Sequence, residues 1–173
     1  RIGTDNWAAA AAGAKVMEFS AAGEVTMPLQ PSSHASTTGS DPSNVTGDDT
    51  DYGPFKGTGE SFDVNADFSS GGSGTFLFTA PVTGTYWGGG WVRSTGMSSH
   101  VASDFKVIVS NRTVVTHDDE RGEIAIGGTT MGVSGQWIMD MDAADTGYMT
   151  ASFGGGSKVI DYNGTLIMWH LIN

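Results

Sequence analysis

The chain has 173 residues, a net charge of −11 with only 8 Lys and Arg, and no cysteine. This length is enough for one domain with a substantial core. The acidic charge excludes nucleic acid and anionic membranes as favourable partners, and the missing cysteines exclude disulfides and zinc–thiolate sites. The 26 glycines and the 16% of charged residues favour an all-β protein. No apolar run approaches the ~18 residues that a transmembrane helix needs, so no membrane insertion is expected.

Residues 1–31 differ from the rest and are predicted to form an N-terminal fibre-like or anchoring arm. Five alanines, Ala8 to Ala12, favour one or two helical turns, which would depend on packing for stability. The stretches 15–19 and 24–27 alternate apolar and polar residues, which predicts two short strands around a turn of small residues. Such strands resemble the repeats of phage tail-fibre shafts. Pro31 marks the boundary with the following domain.

Residues 32–173 are predicted to form one head domain built from short strands. The strands are expected at 32–40, 60–68, 76–79, 85–92, 105–109, 113–116, 137–142, 148–153 and 165–172, with loops rich in Gly, Asp and Ser between them.

The domain is organised around residues 72–92, which are predicted to form two strands and the corner between them. Residues 76–79 alternate as in a pleated strand, Pro81 ends the ladder because it has no N–H, and Gly84 supplies a turn. The next strand carries three aromatic residues and the glycine run 88–90. Three glycines inside a strand predict a bulge or a close backbone approach.

This segment, with Ala-Pro-Val-Thr-Gly-Thr-Tyr at positions 80–86 between two aromatic strands, resembles the globular heads of complement component 1q. Those heads share the jelly roll of tumour necrosis factor. The resemblance spans residues 31–173 and implies an all-β, ten-stranded jelly-roll sandwich that assembles as a homotrimer. The segments 27–31, 44–48 and 141–146 further resemble heads of bacteriophage fibres and virion proteins, which implies a virion location. The chain departs from that pattern at its glycine run and at Trp169 and His170.

The final strand is apolar on both faces. Ile167, Trp169 and Leu171 alternate with a second apolar set, and a strand of this kind is buried on both sides. We expect those three residues in the core and the other set against a neighbouring subunit. The resemblance implies that this strand, 85–92 and 148–153 share the inner sheet that lines the trimer. The predicted trimer-interface residues are Tyr86, Trp91, Tyr148, Leu166, Met168, His170 and Ile172.

Three loops are expected together at the tip of the head. If the last strand runs toward the base, strand alternation brings 93–103, 142–146 and 161–163 to the far end. Loops at such ends carry recognition on a fixed scaffold. The predicted receptor-binding residues, for a host-surface glycan or protein, are Arg93, His100, Tyr162 and Asn163.

Acidic loops raise the question of calcium, which prefers several oxygens from one flexible loop. No EF-hand spacing is present, so the sequence predicts no cofactor and leaves calcium open as an alternative. The calcium candidates are Asp48, Asp49, Asp51, Asp142 and Asp145. No Gly-x-Ser-x-Gly elbow, phosphate-binding loop or His-Glu-x-x-His helix occurs, so the sequence predicts no catalytic residue and no enzyme.

The function predicted from the sequence is that of a non-enzymatic virion structural protein. It would be a trimeric fibre head that attaches to a glycan or outer-membrane molecule of the host. Residues 1–31 would contact other virion proteins. Two alternatives stay open, a capsid decoration or cement protein and a secreted lectin-like or signalling ligand.

Overall fold

The computed structural model describes residues 10–11, 14–15, 17–19, 22–27, 29–36, 42–56, 59–69, 75–96, 99–110, 112–125, 130–158 and 160–172. The described strands are β1 (Ala10–Ala11), β2 (Ala14–Lys15), β3 (Glu18–Phe19), β4 (Val25–Thr26), β5 (Ser32–Ser36), β6 (Gly59–Asp63), β7 (Phe68–Ser69), β8 (Leu77–Thr79), β9 (Gly84–Thr95), β10 (Ser99–Val109), β11 (Arg112–Ala125), β12 (Thr130–Met141), β13 (Thr146–Gly154) and β14 (Asp161–Leu171). None of these residues forms a helix able to cross a membrane.

Two five-stranded sheets make up the body of the molecule. Sheet A has the strand order β12-β9-β14-β5-β6, and sheet B has the order β11-β10-β13-β8-β7. Neighbouring strands pair antiparallel in both sheets. The prediction of an all-β fold is therefore confirmed, and the core lies between the two sheets.

Strand register defines two ends of the domain. At the base, Ser32 at the start of β5 pairs with His170 at the end of β14. At the tip, Thr95 at the end of β9 pairs with both Thr130 and Asp161. Strands β9 to β14 therefore run alternately away from the base and toward it.

This alternation corrects the predicted set of tip loops. Strand β12 ends at Met141, which pairs with Gly84 at the base, so the turn 142–145 lies at the base. The stretch 93–103 is mostly strand rather than loop, because β9 continues to Thr95 and β10 begins at Ser99. Among the described residues, the end of β9, the start of β10 and the start of β14 lie at the tip as predicted.

Strand β13 was expected in the same sheet as β9 and β14, and this expectation is wrong. It lies in sheet B between β10 and β8. Both of its faces are buried by the chain's own 46–53 segment and core. Thr150 meets Gly53, and the Ser152 hydroxyl donates to Asp49 at 3.1 Å. Tyr148 is half-buried on the face of β13 away from the core and cannot share a surface with the last strand.

The N-terminal region contains two short hairpins. Ala10–Ala11 pairs with Ala14–Lys15, so the predicted helical turns are wrong over those residues. A run of five alanines is too short to offset the cost of helix nucleation. The predicted second hairpin is present, with Glu18–Phe19 paired to Val25–Thr26. Residues 1–9 lie outside the described chain.

Large aromatic rings fill the core between the sheets. Trp169 stacks on Phe78, with ring centroids 5.1 Å apart, and packs against Trp137 at 5.0 Å. Tyr86 packs edge-on against Phe78 and is 0% exposed, and its hydroxyl donates to the carbonyl of Val82 at 2.8 Å. The trimer-interface prediction for Tyr86 is therefore wrong, because the side chain is enclosed within its own chain.

The glycine run makes a close approach rather than a bulge. The pairing of β9 with β12 is continuous through Gly88 and Gly90, both of which face the core. A Cβ at Gly88 would collide with the indole of Trp137, and a Cβ at Gly90 would collide with the sulfur of Met149. These glycines create the space that the large core side chains occupy.

Gly88→Ala is expected to lower the free energy of unfolding by about 1–3 kcal/mol, the usual effect of overpacking a dense core. Urea denaturation measures this loss. Gly89→Ala is the matched control, because its Cβ would point away from the core and have its nearest neighbour at 3.6 Å. Equal stability of the two variants would contradict this view of the glycine run.

Candidate functional site

The outward face of sheet A carries large apolar side chains that the chain itself leaves uncovered. Alternation along β9 turns Tyr86 inward and Trp87 and Trp91 outward, and Trp91 is 40% exposed. Along β14, Ile167 and Trp169 are fully buried, whereas Leu166 and Met168 are half-buried on the outward side. The predicted core residues of the last strand are thus confirmed, with Leu171 packed against the same core.

A groove of about 410 Å³ runs along this face between the two tryptophans. Gly89 lies at the centre of the groove. Its missing side chain keeps the groove open, since a Cβ at this position would point into it and contact the Trp87 ring at 3.8 Å. The outward residues that line the groove are Trp87, Gly89, Trp91, Ser134, Gln136, Leu166 and Met168.

Trp91 lies across the strands on both sides of β9. A Cβ at Gly132 on β12 would be 3.0 Å from the Trp91 Nε1, and one at Gly164 on β14 would be 3.5 Å from its Cζ3. The indole lies flat on the sheet because both neighbours lack side chains. One face of a large rigid ring is thereby presented outward.

Two more apolar groups extend the surface to the edges of sheet A. Ile138 on β12 pairs with Trp87 and is 66% exposed. Phe62 on β6 is 50% exposed and stacks on His34, with centroids 5.9 Å apart and planes at 19°. We define the aromatic face as the outward surface of Trp87, Trp91, Ile138, Phe62, Leu166 and Met168.

The aromatic face is bounded by polar groups at its two ends. Arg93 lies toward the tip, and His170 and Asp140 lie toward the base. Outward positions of β9, β12 and β14 between these ends hold no charged residue. On a chain with a net charge of −11, an uncharged surface of this kind is typical of a protein–protein contact.

Sequence reasoning found part of this face and missed part of it. Trp91, Leu166, Met168, His170 and Ile172 lie outward or exposed on sheet A, as their predicted role requires. Trp87, Ile138 and Phe62 were not predicted. The signal for Trp87 was available, since residues 87 and 91 are an even number apart and must share a strand face.

Among the receptor-binding candidates, Tyr162 is misassigned. It is 1% exposed, packs against Phe55 and Tyr52, and donates its hydroxyl to the carbonyl of Ala151. Burial raises the pKa of Tyr162 well above its usual range. Arg93 is exposed near the tip. The side chains of His100 and Asn163 lie outside the described part of the structure.

In the first acidic loop, residues 48–51, the carboxylates are engaged by donors of the same chain. The Lys106 ammonium contacts both oxygens of Asp51 at 3.0 Å, and Asp49 accepts the Ser152 hydroxyl. Hydrogen bonds from Thr50 hold the pKa of Asp48 below its usual range.

In the second acidic turn, at the base, the carboxylate of Asp145 is engaged by protein donors. The hydroxyl of Ser110 donates to Asp145 at 2.6 Å, the amide of Asp142 donates to its other oxygen, and Arg112 lies 3.6 Å away. These contacts, the Ser110 bond foremost, lower the pKa of Asp145. Within the described ranges, no three His, Asp or Glu side chains converge on a possible metal position. The contacts of these described carboxylates lend no support to the calcium alternative, which stays a prediction.

Comparison with known proteins identifies the fold. No protein-family model and no curated protein matches the chain. The globular domain of zebrafish complement 1qA protein is similar, with a TM-score of 0.54 and 18% identity over 83% of this chain and 98% of that one. PRD1 vertex protein P5 is similar with a TM-score of 0.58 and 9% identity, over 95% and 86%. The chain has the jelly roll of complement 1q and tumour necrosis factor-like proteins, as predicted.

Tyr162→Phe is expected to lower the free energy of unfolding by about 1 kcal/mol, because the buried carbonyl of Ala151 loses its hydroxyl donor. Equilibrium denaturation of the purified variant measures the change. Tyr148→Phe, on the half-buried outer face of sheet B, is the control and should have a smaller effect. Reduced receptor attachment by Tyr162→Phe at unchanged stability would restore the predicted binding role.

Proposed function

We propose that the chain is the self-associating head of a virion surface protein, a trimer whose subunits meet through the aromatic face. The aromatic face is the observation that carries this proposal. It offers two tryptophans, a groove and an exposed isoleucine on an otherwise acidic molecule, without a charged residue between its two ends. Such composition matches the core of a subunit interface rather than open surface.

A three-fold ring suits this arrangement. A ring of identical subunits uses two different patches on each chain, one docking into the other. The groove between Trp87 and Trp91 supplies a concave patch, and Ile138 supplies a projecting one. Burying one large apolar side chain is worth roughly 1.5–3 kcal/mol, and a ring repeats each such contact three times.

The virion placement is supported by the shared fold with a phage vertex protein. In the proposed arrangement, the base joins residues 1–31 and through them the other virion proteins, because β5 starts there. The tip then faces outward and carries attachment to a glycan or protein of the host. In the decoration alternative the same trimer forms, but its function is to bind the virus particle rather than the host.

Light scattering on the purified chain is expected to give about three times the 18.0 kDa of one chain. Met168→Asp should give soluble single chains that keep β circular dichroism, because three carboxylates would be desolvated in the proposed interface. Ile167→Asp should fail to fold, because its side chain is fully buried in the core.

Val115→Asp is the matched control, since it places a carboxylate on the exposed outer part of sheet B. It should keep the mass of the unmodified protein. A single-chain mass for the unmodified protein at micromolar concentration, or an unchanged mass for Met168→Asp, would refute the proposed interface.

Attachment is tested separately with arginines at opposite ends. Arg93→Ala, together with His100→Ala, is expected to reduce retention of the purified protein on host cells several-fold, with assembly and stability unchanged. Arg112→Ala, exposed at the base, is the control and should retain attachment. Equal retention of both would move the site away from the Arg93 end and favour the decoration role.

A further inference from the structure

The turn between β6 and β7, at the base, holds two carboxyl groups in unequal surroundings. Asp63 accepts the backbone N–H of Asp67 at 3.0 Å and that of Phe68 at 2.9 Å. The Oδ2 atom of Asp67 is buried and has no hydrogen-bond partner. An unpartnered buried oxygen is costly when it carries charge and much less so when it is protonated.

The backbone of the same turn is strained. Asn65 and Ala66 both adopt left-handed conformations, with φ of 70° and 58°. Asparagine tolerates such angles, whereas alanine holds them only when surrounding contacts impose them. The hydrogen bonds that Asp63 accepts from Asp67 and Phe68 are among the contacts that hold the turn closed.

This turn also holds the chain that enters the head from its N-terminal side. The amide of Val64 donates to the carbonyl of Ser32 at 2.9 Å, and the side-chain amide of Asn65 donates to the carbonyl of Leu29 at 3.1 Å. Opening of the turn would release both contacts. The carboxyl pair is thus coupled to the junction between the head and residues 29–32.

The groups around the pair favour a proton on it. Burial, and then the charge of Asp63, raise the pKa of Asp67 to about 6. Burial also raises the pKa of Asp63, with Glu60 on β6 adding to the rise and the N–H donors opposing it. Tyr86 faces Asp67 from β9, and its hydroxyl is bonded to the carbonyl of Val82.

The other neighbouring elements bring no opposing charge. β7, β8 and residues 29–32 contain no titratable side chain. His34 on β5 lies on the outward face against Phe62.

We propose that Asp63 and Asp67 form a proton-operated latch at the base of the head, which holds residues 29–32 more firmly in acid than at neutral pH. Closing the turn raises the proton affinity of Asp67, so the closed form takes up a proton. The latch is therefore tightest near pH 4 and loosens as the pH rises toward 6. Above that pH the carboxylate is ionised in both forms and no further loosening follows.

Hydrogen exchange of the Val64 and Leu171 amides, which donate to Ser32 and Pro31, measures the latch in the full chain. After correction for intrinsic exchange, the opening equilibrium is expected to rise about 50-fold between pH 4 and pH 7, because the pKa is displaced by about two units and pH 4 already lies at the lower end of that range. Asp67→Asn, which carries no charge, should abolish most of this rise and keep the opening low at pH 7.

His34→Gln is the matched control for the imidazole that stacks on Phe62 beside the turn, and it should keep the original pH profile. Loss of the profile in His34→Gln, or its retention in Asp67→Asn, would overturn the proposal. If Asp67→Asn fails to fold, the titration midpoint of Asp67 is measured instead by carboxyl carbon NMR of the unmodified chain. A midpoint near 6 for Asp67 supports the latch, and a midpoint near 4 refutes it. Neither measurement depends on trimer formation, so the assembly can fail while the latch stands.

Discussion

The large aromatic rings of the core fit between the sheets only because β9 carries glycine where it faces them. Gly88 and Gly90 leave the space taken by Trp137 and Met149. On its opposite face, the same strand presents Trp87 and Trp91 outward around Gly89. One strand thereby sets both the packing of the sandwich and the shape of its aromatic face. Substitution of Gly88 or Gly90 therefore affects the stability of the core, whereas substitution of Gly89 affects the groove of the proposed assembly.

The distribution of polarity separates the parts of the molecule. Asp140 and Asp145 at the base, and Asp51 beside Lys106, are engaged by hydroxyl, amide and cationic donors of the same chain. The aromatic face has no charge between Arg93 and Asp140 along β9 and β12. Long-range repulsion from a net charge of −11 would oppose association of like chains, so close apolar contact must supply the attraction. This favours a short-range interface of the kind that the groove and Ile138 provide.

Much of the fold could be predicted because period-two patterns and turn residues are local. The two strands on either side of Pro81 were predicted from alternation and turn residues, and the corner between them connects sheet B to sheet A rather than closing a hairpin. The inward set Ile167 and Trp169 was predicted from alternation and from the polar His170 on the opposite face. The assignment of Tyr86 and Trp91 to one surface failed, since an odd separation places them on opposite faces of an unbulged strand. The sheet of β13 was also misassigned, because its second face is covered by Gly53 and Asp49. When loop residues distant in the sequence cover a strand face, the residue pattern of the strand does not show which part of the chain covers it.

The paired carboxyls of Asp63 and Asp67 were equally hidden from the sequence. Their effect depends on a strained turn and on burial, neither of which follows from residue type. Phe62 and Ile138 lay in segments whose sheet positions were unknown, so their place on the aromatic face could not be predicted. The sequence thus predicted an apolar surface for contact between subunits. The order of strands in the sheet was needed to show which residues lie on that surface.

Hydroxyl-radical footprinting across a dilution series tests most directly whether the aromatic face is the surface that association covers. Oxidation rates of Trp91 and Met168 are compared with that of Met27, which is 46% exposed and lies outside the face. The account predicts that Trp91 and Met168 are protected in concentrated protein and become reactive on dilution, with Met27 unchanged. Equal reactivity of Trp91 and Met168 in assembled and dilute protein would contradict it.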